Sequence, residues 1–298
     1  MTPASITTKA ILICAWVATV LSDCLAIEVH GHRGARAVLP ENSLAAFEYA
    51  IEIGVDVIEL DTGVSKDGVI VVHHDQMVNR SLCQTKSGNN VDENQWIHQL
   101  SLAELKDYDC GSRSNSQFPN QTLVLGTEIP TLREVFELVK NSSLPQAGVV
   151  RFNIEAKSRE DRPFAQPSPK EFADKILQLL NEYELQERTI LQSFDHRILF
   201  EANKLNADLT LSALFGKPPA NWLIHATNIG ANIISPHFRD IDKSDVLHIQ
   251  NAGFKVIPWT ANNAKDWDFL IDLGVDGIIT DDPEQLIKYL DNQADESF

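Results

Sequence analysis

A chain of 298 residues is long enough for one large α/β domain or two small ones, and its 43% apolar content is enough for a full core. Acidic residues number 42 against 25 basic ones, which leaves a net charge of −17 with no cluster of Lys and Arg. That balance argues against nucleic acid and against an anionic membrane as partners. It leaves room for a small anion in a cleft, where a few local charges can outweigh the field of an acidic surface.

The first 26 residues differ from the rest. Lys9 precedes an apolar run, Ala10 to Leu21, which ends in Ser22-Asp23-Cys24-Leu25-Ala26. This pattern is expected of a secretory signal peptide, with a mature domain over 27–298 in a secreted or periplasmic location. The run is short for a membrane span, so no stable membrane anchor is expected. An uncleaved anchor and a lipid anchor at Cys24 are the competing readings, and Asp23 disfavours the second because a small residue is expected there. Loss of the leader removes Cys14 and Cys24 and leaves Cys83 and Cys110. Two cysteines in an exported chain suggest one disulfide, the other reading being two buried thiols. Asn79, Asn120 and Asn141 begin N-x-S/T triplets, which matter only in a host that glycosylates.

Beyond the leader, β-rich runs alternate with amphipathic helical stretches. Strands are expected at Glu28–His32, Val55–Asp61, Val149–Glu155, Thr189–Ser193, Leu209–Leu214, Asn232–Ser235, Lys255–Thr260 and Asp276–Thr280. Helices are expected between them at Ser43–Ile53, Leu132–Asn141, Pro169–Glu182, His196–Asn206, Trp222–Ile229, Lys243–Ala252 and Asn263–Leu273, with Pro283–Asn292 last. Alternation of this kind with eight strands predicts a parallel (β/α)8 TIM barrel. A doubly wound open sheet is the alternative, but no glycine-rich nucleotide loop opens a helix.

Val69–His73 breaks the alternation. Only Lys66-Asp67-Gly68 separates it from the second strand, which is too little chain for a parallel crossover, so an extra hairpin strand is expected there. A two-residue Asp67-Gly68 loop would set Asp61 opposite His74 and Thr62 opposite His73. Side chains alternate across a strand, so Glu59, Asp61 and His74 would share one face while His73 turned away. Residues 81–130 then form a long polar insertion with a helix expected at Leu102–Tyr108. Trp96, Tyr108 and Phe118 suit a folded cap clamped by Cys83 and Cys110, acting as a lid or as a packing appendage.

The chemistry-bearing residues sit at the ends of the apolar runs. Glu59 and Asp61 would repel on one buried face unless a cation joined them, and Glu155 holds the same relative position at the end of the Val149–Glu155 strand. Three such carboxylates make an oxygen-rich site suited to one divalent cation, Ca2+ or Mg2+. His32 and His74 flank it as candidate general acid and base. Arg33 and Lys157 are candidates for the phosphate oxygens, or for simple pairing with Glu59 or Glu155. In Pro40-Glu41-Asn42-Ser43, Glu41 could touch substrate or only shape the helix entry, with Asn42 or Ser43 as N-cap. Trp259, at a strand end, could flank the substrate or pack in the core.

His32-Arg33-Gly34, Pro40-Glu41-Asn42-Ser43, Glu59-x-Asp61, Val72-x-His74-Asp75 and Ile154-Glu155-x-Lys157 together resemble the glycerophosphodiester phosphodiesterases. The likeness continues through Ile129-Pro130-Thr131-Leu132, Gln192-Ser193-Phe194, Pro258-Trp259-Thr260 and Gly274 to Asp281. It implies a (β/α)8 barrel, a divalent metal at Glu59, Asp61 and Glu155, and acid–base roles for His32 and His74. It also implies release of glycerol 3-phosphate and an alcohol from a small-molecule glycerophosphodiester. The alternative is a phospholipase D-type phosphodiesterase acting on lysophospholipids or sphingolipids, for which an apolar rim on the insertion would be expected.

Overall fold

The computed structural model describes residues 27–296. The proposed leader, with Cys14 and Cys24, lies outside the described residues. In chain order the first elements are β1 (Glu28–Gly31), α1 (Leu44–Glu52), β2 (Val57–Val64) and β3 (Ile70–Val72). The insertion carries β4 (Gln84–Thr85), α2 (Leu102–Leu105) and β5 (Tyr108–Asp109). Then come α3 (Leu132–Asn141), β6 (Arg151–Ala156), α4 (Pro169–Tyr183), β7 (Thr189–Ser193), α5 (His196–Leu205) and β8 (Thr210–Phe215). The chain ends with α6 (Trp222–Ile229), β9 (Ile233–Pro236), α7 (Lys243–Asn251), β10 (Lys255–Val256), α8 (Ala264–Leu273), β11 (Gly277–Thr280) and α9 (Pro283–Glu296).

Eight strands form one parallel sheet in the order β10-β9-β8-β7-β6-β2-β1-β11, and β3 adds antiparallel to β2. The two ends meet through single bonds instead of a ladder: Asp276 N to Val256 O at 2.9 Å, Ile279 N to Pro258 O at 3.0 Å and Ala261 N to Ile279 O at 3.2 Å. Pro258 has no N–H to donate, which is why the strand expected over Lys255–Thr260 stops at Val256. The result is a nearly closed (β/α)8 barrel.

Each strand divides its side chains between two interiors. Outward residues such as Ile58, Leu60, Phe152, Ile154 and Leu191 pack against Phe47, Phe136 and Phe172 of the surrounding helices in one continuous core. Inward, Ile190, Ile233, Ile257 and Ile279 form a small apolar plug with Trp259 against it. Toward the carboxyl ends of β2, β6 and β7 the inward residues are instead polar: Glu59 and Asp61, Glu155, and Gln192. Parallel register pairs Asp61 with Glu155 and Glu155 with Gln192, which sets three polar side chains in neighbouring rows.

The hairpin register departs from the expected one by a residue. Thr62 pairs with Val72, Gly63 with Val71 and Val64 with Ile70, and Ser65 N donates to Val69 O at 2.9 Å. The loop is therefore Lys66-Asp67-Gly68, three residues, with Gly68 at φ +82° taking the left-handed position that such loops need. Ser65 Oγ stabilises it by donating to Asp67 at 2.6 Å and accepting from Val69 N at 2.9 Å. Strict alternation would now place His73 beside Asp61. The strand ends at Val72, however, and alternation says nothing past that point.

The insertion has an apolar cluster of its own, built from Val71 and Val78 with Cys83, Val91, Ile97, Leu105 and Ile129. The helix expected over Leu102–Tyr108 ends at Leu105, because Tyr108 and Asp109 pair with Thr85 and Gln84 instead. Beside that small sheet a disulfide joins Cys83 to Cys110, 27 residues apart. Closing a loop of this length is worth about 3 kcal/mol in the chain-entropy account. Replacing both cysteines by Ser should therefore lower the unfolding free energy by an amount of that order, read as a fall in the denaturant midpoint; an unchanged midpoint would mean that the apolar cluster alone holds the insertion.

Candidate active site

Barrel strands deliver reactive side chains at their carboxyl ends, and that is where the expected residues gather. Glu59 and Asp61 come from β2 and Glu155 from β6, all buried, with one carboxylate oxygen of each within 4.8 Å of the others. Asp61 is the best supported of the three. Arg33 Nε lies 3.1 Å from one of its oxygens and Lys157 Nζ 3.1 Å from the other. Asn42 Nδ2 also donates to it at 2.8 Å. Burial, which favours the neutral acid, is outweighed by Lys157 and then Arg33, so this carboxyl is held well below its ordinary range.

Glu59 has the opposite environment. It accepts from the Arg33 backbone N–H at 2.9 Å and from Gln192 Nε2 at 2.8 Å, while Arg33 and Lys157 make their ion pairs elsewhere. Burial and then the charges of Asp61 and Glu155 push it well above the ordinary glutamate range. Burial also raises Glu155, although Lys157 Nζ lies 2.8 Å away. Lys157 itself is burdened by burial, yet Asp61 and Glu155 keep it firmly protonated.

Gly34 makes the β1–α1 turn feasible: at φ +87°, any Cβ there would lie 2.8 Å from the Ala46 backbone in α1. This close approach seats His32 and Arg33 over the barrel mouth. Ser43 is the N-cap of α1, accepting from Ala46 N at 3.1 Å, which leaves Asn42 for Asp61. Arg33 Nη1 reaches Glu41 at 2.7 Å, and Arg36 reaches the other Glu41 oxygen at 3.1 Å. Glu41 does not line the central cavity; its carboxylate aligns two arginines that do.

Each histidine of the site has a carboxylate on Nδ1. His32 Nδ1 lies 2.5 Å from Asp281 Oδ1, and Asn262 Nδ2 donates to the other Asp281 oxygen at 2.7 Å. A carboxylate can only accept, so Nδ1 carries the proton and Nε2, 3.9 Å from Glu59, is the basic nitrogen. Burial lowers the His32 pKa despite Asp281. His74 Nδ1 pairs with Asp75 Oδ1 at 2.8 Å, and Asn79 steadies Asp75 at 2.8 Å. His73 bonds Met77 O through Nε2 at 3.1 Å and does not line the cavities.

A chamber of about 210 Å³ is lined by His32, Arg33, Glu59, Glu155, Gln192 and Trp259, among others. His74, Glu155, Lys157 and Phe194 also line a larger cavity of about 760 Å³, so the two are one cleft. Trp259 stands edge-on to Phe194 at 5.5 Å and donates Nε1 to Ser235 O at 3.1 Å, fixed as one wall.

The glycerophosphoryl diester phosphodiesterase family model matches residues 32–285. A glycerophosphodiester phosphodiesterase of Caldanaerobacter subterraneus subsp. tengcongensis is 35% identical over 260 residues, covering 87% of this chain and 96% of the relative. The chain belongs to the glycerophosphoryl diester phosphodiesterase family. Among solved structures, a protein from Silicibacter pomeroyi DSS-3 matches with a TM-score of 0.83 and 27% identity, over 90% of this chain and 94% of that one. An Oleispira antarctica phosphodiesterase in complex with the product sn-glycerol-3-phosphate matches with a TM-score of 0.73 and 26% identity, over 89% of this chain and 96% of that one.

In this glycerophosphodiester phosphodiesterase the donor set fits a divalent cation. Three buried carboxylates face Arg33 and Lys157, but Arg33 is shared with Glu41, so the pocket stays short of positive charge. Among the described residues, Asp61 Oδ1 makes no hydrogen bond of good geometry and meets only the Lys157 ammonium, at 3.1 Å. Oxygen-only ligands suit Mg2+ or Ca2+ over softer metals. Asp281, Gln192, Arg36 and Asp75 are site residues to which the sequence assigned no role, and Asn42, offered there as an N-cap, instead bonds Asp61. Asp281 was the most accessible of these: β1 and β11 pair Gly31 with Thr280, so the next residues, His32 and Asp281, fall side by side.

Proposed function

We propose that the enzyme hydrolyses glycerophosphodiesters to glycerol 3-phosphate and an alcohol, using His32 and His74 as an acid–base pair around a divalent cation, Ca2+ or Mg2+, held by Glu59, Asp61 and Glu155. The observation that carries this reading is the pair of carboxylate-oriented histidines at one cleft with three clustered carboxylates. The product bound by the Oleispira antarctica phosphodiesterase supports it.

The bound cation would supply Lewis-acid stabilisation of a non-bridging phosphate oxygen. Arg33 and Lys157, already at the carboxylate cluster, share the developing negative charge on the phosphorane. His32, in the small chamber with Trp259, takes a proton through Nε2 from the attacking oxygen, either water directly or the neighbouring glycerol hydroxyl, whose cyclic phosphate product is then opened by water to glycerol 3-phosphate. Asp281 holds the ring in the tautomer that allows this. His74, where the chamber opens into the larger cavity, returns a proton to the departing alcohol oxygen, and Asp75 fixes its ring. Trp259 and Phe194 wall the glycerol backbone. Export is part of the same proposal, supported by the Cys83–Cys110 disulfide. No helix among the described residues is long and apolar enough to cross a membrane.

Turnover of glycerophosphocholine, glycerophosphoethanolamine and lysophosphatidylcholine, each with and without a chelator, tests the reading. Chelator-sensitive release of glycerol 3-phosphate from the two water-soluble diesters is expected. Chelator-resistant turnover would remove the metal from the mechanism, and preference for the lysolipid would replace the substrate class by a phospholipase D-type one.

A further inference from the structure

The larger cavity, about 760 Å³, is walled by the insertion at Asp92 to Trp96 and by Arg159 and Arg162 after β6. It joins the chamber at His74, the group that protonates the departing alcohol, so the alcohol portion of the substrate extends into it. This placement rests on the function proposed above. The charges around it are nearly all matched. Glu93 pairs with Arg80 at 3.3 Å, Arg159 with Asp161 at 2.9 Å, Asp75 with His74 and Glu155 with Lys157 at 2.8 Å each. Two lining groups have no ion-pair partner among the described residues, the Asp92 carboxylate and the Arg162 guanidinium. They balance each other.

A cationic alcohol needs excess negative charge or an aromatic cage. The charge is balanced and the Trp96 ring is taken, since Arg162 lies over it at 5.9 Å from its centre and Phe164 meets it edge-on at 4.9 Å; the exposed Phe194 is left as a single ring, which makes no aromatic cage. Choline or ethanolamine would also leave most of the volume to water. The lining offers instead planar hydrogen-bonding groups, Asn94 and Gln95 together with Asp92 and Arg162. Carboxylate, guanidinium and amide groups suit neighbouring hydroxyls, because each hydroxyl both donates and accepts. We infer that this cavity is the alcohol subsite and that it selects a neutral, polyhydroxylated alcohol, through Asp92 and Arg162 in particular.

The metal-loaded enzyme, assayed on glycerophosphoinositol, glycerophosphoglycerol, glycerophosphocholine and glycerophosphoethanolamine, tests the inference. A site built around hydrogen bonds should give the polyol esters a kcat/KM at least about 10-fold above the two amine esters. The glycerol and inositol arms separate a short polyol from a ring. Asp92 is exposed and makes no hydrogen bond or ion pair among the described residues, so Asp92→Ala should fold normally, as an unchanged Tm would show, and reduce the polyol-to-choline ratio by about 10-fold through KM. Arg162→Met should act in the same direction. Equal turnover of all four esters, preference for choline, or ratios unmoved in both variants would overturn the subsite while leaving the proposed reaction standing. Failure to hydrolyse any of the four would instead remove the reaction itself.

Discussion

His74→Ala should lower kcat by about 10²- to 10⁴-fold, the usual worth of a positioned proton donor, while His73→Ala keeps its turnover. The two residues are adjacent, and only the tertiary path of the chain tells them apart. His73 is committed to the Met77 carbonyl at 3.1 Å and lines neither cavity, so its loss should cost about 1 kcal/mol of stability and little activity. His74 pairs with Asp75 and lines both cavities. A protonating role further predicts that substrates with a good leaving group, such as a nitrophenyl phosphodiester, lose less in His74→Ala than natural ones. If His73→Ala were the inactive variant, the acid would be misassigned.

Adding Mg2+ or Ca2+ to metal-free protein should raise its Tm, and Asp61→Asn should abolish both that rise and the activity. A ligand present at 100 times its Kd stabilises the folded state by about 2.7 kcal/mol, which is readily seen in a melting curve. Asp61 is the informative position because Arg33, Lys157 and Asn42 hold it ionised, ready to bind without first releasing a proton. Glu59 is the contrary case. Burial and its two acidic neighbours raise its pKa, so in the metal-free protein a proton occupies it at pH values where a free glutamate is ionised. Proton and metal then compete, and the metal-induced rise in Tm should shrink as the pH falls through that raised pKa. A rise in Tm that persists in Asp61→Asn would place the ion somewhere other than this cluster.

How much was legible in the sequence differs from residue to residue. β7 spans Thr189–Ser193, and the helices at Leu132–Asn141 and Trp222–Ile229 have their expected bounds, because short apolar runs and amphipathic periods are local signals. Ser43 and Thr131 end their loops as caps for an equally local reason. β10 fell short because closure of the barrel there depends on which partner Pro258 meets. The hairpin register was missed because Asp67-Gly68 suits a two-residue loop, and Ser65 decides in favour of three by bonding Asp67 and Val69.

His74 was singled out from a register that does not exist, and its place at the cleft comes from the turn after Val72. Glu41 was offered as a substrate contact, whereas it clamps Arg33 and Arg36. The partnership of His32 with Asp281 spans 249 residues of chain and was not drawn from periodicity.

The order of short apolar strands, amphipathic helices and strand-end acids already determined, without any coordinates, an alternating barrel and the side chains gathered at its carboxyl end. Those features are properties of a few consecutive residues, and the backbone geometry of strand and helix translates them directly. Which acid keeps its charge, which histidine turns inward and what shape of alcohol the insertion admits were decided only by the folded chain. They depend on the distance between groups remote in sequence and on the water excluded from between them, and neither exists until the barrel closes.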